Sequence, residues 1–129
     1  MERISEDLLS LETEPLRDGV LIVRLAGEID ISSVHLLRNR FTSLVGEGHS
    51  AVILDATRVT FMDSTGLHAL VEGKRILHEN GMRIFLVPSR QVRRVLELVF
   101  PDPMFASRLD TVEGALAALD ESRPASIED

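Results

Sequence analysis

Residues 51–79 read AVILDATRVTFMDSTGLHALVEGKRILHE, which is a strand pattern followed by a turn and then a helix pattern. The run from Ala51 to Leu54 is wholly apolar and ends at Asp55, which predicts a strand buried on both faces of a sheet. From Ser64 to Glu79 the apolar residues recur every three or four positions, which predicts a helix closed by Asn80-Gly81. A strand, a turn and a helix in this order are typical of α/β proteins.

The rest of the chain continues this alternation. Strand patterns bounded by turn residues occur at residues 8–13, 19–26, 51–55 and 82–87. Helix patterns with start or stop signals occur at residues 31–45, 64–79, 92–99 and 111–119. We expect residues 19–26 to run parallel to 51–55, and residues 8–13 to form an antiparallel edge strand joined by a turn at 15–19. The prediction is an α/β fold with a mixed, mostly parallel β-sheet of about four to five strands and about four helices.

Length and charge indicate one domain with acidic ends. A chain of 129 residues with 44% hydrophobic content can form one core but not two ordinary ones. The net charge of −7 lies at the termini, since residues 15–119 carry 12 acidic and 12 basic side chains. We therefore divide the chain into an acidic N-terminal extension at 1–7, the domain at 8–119 and a disordered acidic tail at 120–129.

The composition argues against nucleic acid and membrane as partners. The central region has no basic excess and the chain has no Trp or Tyr, so Arg90, Arg93 and Arg94 are interpreted as a solvated helix face. No stretch approaches the roughly 18 apolar residues that span a bilayer, and the N-terminus has no signal-peptide pattern. There is no cysteine, so disulfides and thiolate metal sites are excluded, and we expect a cytoplasmic protein.

Ser64 is the main candidate for a functional residue. It stands where a helix is predicted to begin, so its hydroxyl could cap free backbone N–H groups. A phosphoryl group on the same hydroxyl would lie at the positive end of the helix dipole. Asp63 is an equally suitable cap and Thr65 adds a second hydroxyl, so the residues alone leave both interpretations of Ser64 open.

Several enzyme classes lack their necessary residues. A serine hydrolase elbow requires a glycine where Met62 stands, and none of the four histidines forms a recognisable local arrangement with Ser64. A phosphoacceptor-aspartate site at Asp55 would need neighbouring carboxylates for magnesium and a nearby lysine, but the only lysine is Lys74, inside a predicted helix. Phosphate loops, dinucleotide fingerprints and metal-ligand spacings do not occur, so we expect no enzyme, no cofactor and no metal.

A second acidic motif, Gly27-Glu28-Ile29-Asp30, follows the strand at residues 19–26 and is predicted to be a turn before a helix. If that strand is parallel to residues 51–55, this turn and residues 61–66 both lie at the carboxyl ends of their strands. Open α/β sheets usually place their sites at that edge. We therefore expect the two acidic turns to be neighbours.

These two motifs, Gly27-Glu28-Ile29-Asp30 and Phe61-Met62-Asp63-Ser64-Thr65-Gly66-Leu67, resemble the STAS domains of bacterial anti-sigma factor antagonists. The resemblance extends over about residues 8–119 in element order and spacing. It also includes the segments Arg93–Leu98 and Thr111–Leu116.

The resemblance implies a cytoplasmic regulator of transcription in stress responses rather than an enzyme. Such a protein binds an anti-sigma factor that is itself a serine kinase, and thereby frees a sigma factor. Ser64 would be the phosphoacceptor, with Thr65 as a secondary candidate, and a serine phosphatase would reverse the modification. The switch surface that binds the partner would include Glu28, Asp30, Asp63, Thr65, Gly66 and His68.

The alternatives are a STAS interaction module in another sensory complex and a small-anion or nucleotide-binding module. In both of these Ser64 would not be phosphorylated.

Overall fold

The computed structural model describes residues 2–6, 8–99 and 110–121, and in these a five-stranded mixed sheet forms the centre of the fold. The strands are β1 (Glu2–Glu6), β2 (Leu9–Arg17), β3 (Val20–Ile29), β4 (Ala51–Met62) and β5 (Arg83–Pro88). They lie side by side in chain order. β2 is antiparallel to β1 and β3, and β3, β4 and β5 are mutually parallel, so four of the five strands point the same way.

Helices cover both faces of the sheet. They are α1 (Val34–Leu44), α2 (Ser64–Glu79), α3 (Arg90–Val99) and α4 (Val112–Glu121). The first three pack their apolar sides into one large core, in which Leu37, Leu70 and Leu96 are fully buried. α4 packs on the opposite face, where Ala115 and Leu119 contact a smaller cluster. Because α1 and α2 connect parallel strands, both begin at the carboxyl edge of the sheet.

The mixed sheet, its parallel pair and the order of strands and helices confirm the fold predicted from the sequence. α2 has the predicted limits. Several details differ. β2 runs to Arg17, so the hairpin turn is confined to Asp18-Gly19, where Gly19 has φ +76°. Residues 2–6 of the predicted acidic extension form β1. α4 continues to Glu121, into the predicted tail, and residues 122–129 lie outside the described residues.

The other two differences concern the ends of β3 and β4. β3 continues to Ile29, so Gly27 to Ile29 belong to a strand and not to a turn. β4 continues to Met62, so Asp55 lies inside a strand, where its carboxylate accepts hydrogen bonds from the N–H and hydroxyl of Thr57. The two strands stay paired along this extension, which carries the functional edge several residues beyond the end of β5.

A buried cation connects β2 to the end of α1. Arg40 is only 8% exposed and donates to the hydroxyls of Thr13 (3.2 Å) and Ser43 (2.8 Å) and to Oε2 of Glu47 (3.1 Å). Partial burial raises the pKa of Glu47, but hydrogen bonds from Arg40 and His49 outweigh it, so the pKa lies below its ordinary value of 4.5. Buried charges are tolerated when they are paired and hydrogen-bonded, as Arg40 is.

Candidate functional site

The carboxyl ends of β3 and β4 bring the two acidic motifs together. Ile29 and Met62, the last residues of the two strands, are register partners, and the N–H of Asp63 donates to the carbonyl of Ile29 at 3.4 Å. Asp30 and Asp63 therefore follow directly after paired residues. This confirms the prediction that the two motifs are neighbours.

Asp63 caps the N-terminus of α2. Its backbone is extended (φ −104°, ψ −170°), and its Oδ1 accepts hydrogen bonds from the N–H groups of Thr65 (2.9 Å) and Gly66 (3.2 Å). Its carbonyl oxygen accepts the N–H of Leu67 at 3.1 Å. Free N–H groups at a helix start need such acceptors. The side-chain cap of α2 is therefore Asp63 and not Ser64.

Ser64 is the first residue of α2 and is exposed, and its hydroxyl makes no hydrogen bond within the described part of the chain. Thr65 is half-buried, and His68 is exposed one turn further along the helix. The predicted phosphoacceptor is therefore accessible and has no structural contact to lose. The secondary candidate is less accessible.

Asp30 organises the segment before α1. Its Oδ1 accepts from the N–H (2.9 Å) and hydroxyl (2.7 Å) of Ser32 and from the N–H of Ser33 (3.2 Å). The Ser33 hydroxyl donates to the Glu28 carbonyl at 2.7 Å and accepts the Asp30 N–H at 3.0 Å. The hydrogen bonds from Ser32, and then those from Ser33, lower the pKa of Asp30 below its ordinary value. The carboxylate is therefore charged at neutral pH and held in a defined position.

Gly66 is buried, although the sequence places it on the switch surface. A Cβ on this residue would lie 2.6 Å from Cγ of Met62 and 2.8 Å from Cγ2 of Ile29. Side-chain atoms do not approach this closely without displacement, so only glycine lets α2 sit directly on the paired strand ends. Gly66 thus sets the position of Ser64 rather than presenting a side chain of its own.

Glu28 is half-buried and lies beside Phe61, its register partner in β4. On its other side, the N–H of Glu28 donates to the carbonyl of Leu8 at 2.9 Å. This approach is possible because Gly27 has φ +113° and a Cβ there would overlap the Leu8 carbonyl oxygen. Leu8 and Phe61 are thereby placed at the site, although the sequence does not predict that either side chain is exposed. Apolar residues are normally assigned to the core, so the residue type does not predict that these two side chains reach solvent.

No group of three or more His, Cys, Asp or Glu residues suited to a metal ion occurs among the residues that the structure describes. None of the helices in the described ranges is long and apolar enough to cross a membrane. At the functional edge, Asp30 and Asp63 supply carboxylates, Ser64 supplies an exposed hydroxyl, and Leu8 and Phe61 supply exposed apolar side chains.

Residues 14–114 of the chain match a STAS domain. The chain belongs to the STAS domain family. It is 28% identical over 91 residues to the anti-sigma-B factor antagonist of Staphylococcus aureus (strain NCTC 8325 / PS 47), which is 70% of this chain and 83% of that protein.

Solved structures show the same similarity. An anti-sigma factor antagonist from Mycobacterium paratuberculosis is 26% identical, with a TM-score of 0.76, over 90% of this chain and 97% of that one. The anti-sigma factor antagonist SpoIIAA in its unphosphorylated form is 23% identical, with a TM-score of 0.70, over 88% of this chain and 99% of its own. SpoIIAA thus shares the fold.

Proposed function

We propose that this chain is an anti-sigma factor antagonist whose binding is controlled by phosphorylation at Ser64. In its unphosphorylated form it binds an anti-sigma factor serine kinase in the cytoplasm and frees a sigma factor. A serine phosphatase restores this form. The chain supplies the acceptor hydroxyl, and the kinase supplies the catalysis. The observation that carries the proposal is the exposed Ser64 hydroxyl beside an aspartate that already caps the helix.

The names of two similar proteins support the proposed class of partner. The Staphylococcus aureus and Mycobacterium paratuberculosis proteins are both anti-sigma factor antagonists, and both align with most of this chain. The fold is also compatible with a phosphorylated state, because SpoIIAA has been solved in its phosphorylated form.

The geometry around Ser64 indicates how phosphorylation would act. A phosphoryl group adds about −1.5 to −2 charge at neutral pH. The N–H groups of Thr65 and Gly66 are already occupied by Asp63, so the phosphate would not be drawn into the helix terminus. It would project from the surface next to the Asp63 carboxylate. The modification would therefore change the docking surface without refolding the domain.

The same geometry argues against a small-anion or nucleotide site at this helix terminus. An anion there would have to displace the Asp63 carboxylate from two N–H groups, and it would meet the charge of Asp30 as well. Anion sites at helix N-termini depend on free N–H groups and on the absence of competing negative charge.

Binding to the purified anti-sigma factor kinases of the same organism tests this function. We expect Ser64→Ala to bind its kinase as the wild type does, and Ser64→Glu to bind at least about tenfold more weakly. A matched control is Thr42→Glu, which adds the same charge at an exposed hydroxyl two turns along α1 from the site. Equal binding by Ser64→Glu and the wild type would contradict the proposal.

A further inference from the structure

The edge of the sheet that carries Ser64 also carries exposed apolar side chains. Among the residues that the structure describes, the exposed large hydrophobic residues are Leu8 (44%), Ile31 (81%), Phe61 (42%) and Leu98 (77%). Leu98 belongs to α3. The other three, which we call the apolar patch, all lie at the ends of β3 and β4 or directly beside them.

Strand pairing places two members of the patch in one row. Leu8 lies opposite Glu28 through a backbone hydrogen bond, and Glu28 is the register partner of Phe61. Ile29 and Met62, the next residues of the two strands, point into the large core. Because side chains alternate along a strand, Glu28 and Phe61 point to the opposite face.

The third member of the patch is Ile31, which lies two residues after the end of β3. Ile31 stands between Asp30 and Ser32, and hydrogen bonds from the N–H and hydroxyl of Ser32 to Asp30 hold this segment in place. Because Ile31 is exposed in the monomer, its side chain contributes almost no free energy of burial to the fold. Clustered exposed apolar residues with a polar rim are characteristic of protein interaction sites.

The charges around the patch indicate which partner fits it. Glu28, Asp30 and Asp63 supply three carboxylates at this edge. A second copy of this chain, docked symmetrically, would bring these carboxylates against their own counterparts. A surface with an apolar centre and Lys or Arg side chains around it would instead be complementary in both respects.

We propose that the apolar patch is the anchor by which this chain binds its anti-sigma factor kinase, and that the kinase presents an apolar surface flanked by basic side chains. This rests on the proposed function and adds the residues that supply the affinity. It also gives phosphorylation a physical effect. Docking on the patch would bring the apolar part of the partner surface close to Ser64, and a phosphoryl group there would disrupt that packing and lose its hydration. Affinity then falls although the fold is unchanged.

Binding of the purified anti-sigma factor kinases to three serine variants tests the proposal. We expect Ile31→Ser and Phe61→Ser each to weaken binding by about tenfold or more, as truncation of anchor residues does. Leu98→Ser is the control of similar exposure on α3, and its affinity should stay within about twofold of the wild type. Because Ile31 is 81% exposed, Ile31→Ser should fold normally, which circular dichroism and a thermal midpoint within about 2 °C would verify.

The results distinguish failure of the apolar patch from failure of the proposed function. If Ser64→Glu weakens binding while Ile31→Ser and Phe61→Ser bind like the wild type, the patch is not the anchor but the proposed function stands. If the wild type binds none of the kinases, the proposed function fails and this inference fails with it.

Affinity should also decrease as NaCl is raised, and salt-independent binding would overturn the basic partner surface. Sedimentation that shows a dimer of this chain, lost in Ile31→Ser, would assign the patch to a second copy and overturn the proposal.

Discussion

Replacing Asp63 with alanine removes the carboxylate that accepts the N–H groups of Thr65 and Gly66 at the start of α2. Loss of an N-cap side chain costs about 1 kcal/mol, with a range of about 0.5 to 2. For a domain of this length, that free energy corresponds to a decrease of about 3 to 5 °C in the thermal midpoint. By contrast, Ser64→Ala removes a hydroxyl that makes no hydrogen bond in the described structure, so its effect should stay within about 0.5 kcal/mol.

Thermal and urea unfolding of the two variants measure this difference, and the urea dependence should keep its slope while the midpoint changes. Asp63→Asn is the matched control, because asparagine caps a helix about as well as aspartate and removes only the charge. It should retain most of the stability that Asp63→Ala loses. If Ser64→Ala were as destabilising as Asp63→Ala, Ser64 would have a structural role, and the assignment of the cap would be refuted.

Two further variants test packing and electrostatics away from the site. A Gly→Ala change in a helix usually stabilises the protein by about 1 kcal/mol. A Cβ on buried Gly73, however, would overlap the ring of Phe41. We therefore expect urea unfolding to show that Gly73→Ala destabilises the fold by about 1 to 2 kcal/mol. A more stable variant would contradict this packing. The pKa of Glu47 is lower in the folded state than its ordinary value of 4.5. Its pairing with Arg40 therefore stabilises the fold above pH 4.5, and this stabilisation is lost as the pH falls through the pKa of the folded state. Thermal midpoints of wild type and Glu47→Gln should therefore converge in acid, and a constant difference would contradict this pairing.

The accuracy with which the sequence predicts each element depends on how local its signal is. α2 begins at Ser64 and ends at Glu79 as predicted, because both its apolar spacing and its glycine stop are encoded within the segment. β4 is predicted only as far as Asp55, because polar residues interrupt the apolar run after it. Pairing with β3 carries the strand on to Met62, and that pairing is a tertiary interaction which the segment itself does not display.

The site shows the same limit. Asp30 and Asp63 are predicted to be neighbours, because parallel strands place their carboxyl ends together and the two motifs occupy equivalent positions. The choice between Asp63 and Ser64 as cap depends on which residue has the extended backbone before the helix, and both residue types suit that position. The exposure of Ile31 could not be predicted either. Apolar residues are normally assigned to the core, and only the packing of the strand ends leaves this one in solvent.

The central claim is that Ser64 accepts a phosphoryl group from an anti-sigma factor kinase. Intact mass measurement after incubation with the kinases of the same organism and ATP tests it most directly, with peptide fragmentation to locate the modification. We expect the wild type to gain one phosphoryl group, located on Ser64, and Ser64→Ala to gain none. No gain by the wild type, or an equal gain by Ser64→Ala, would contradict it.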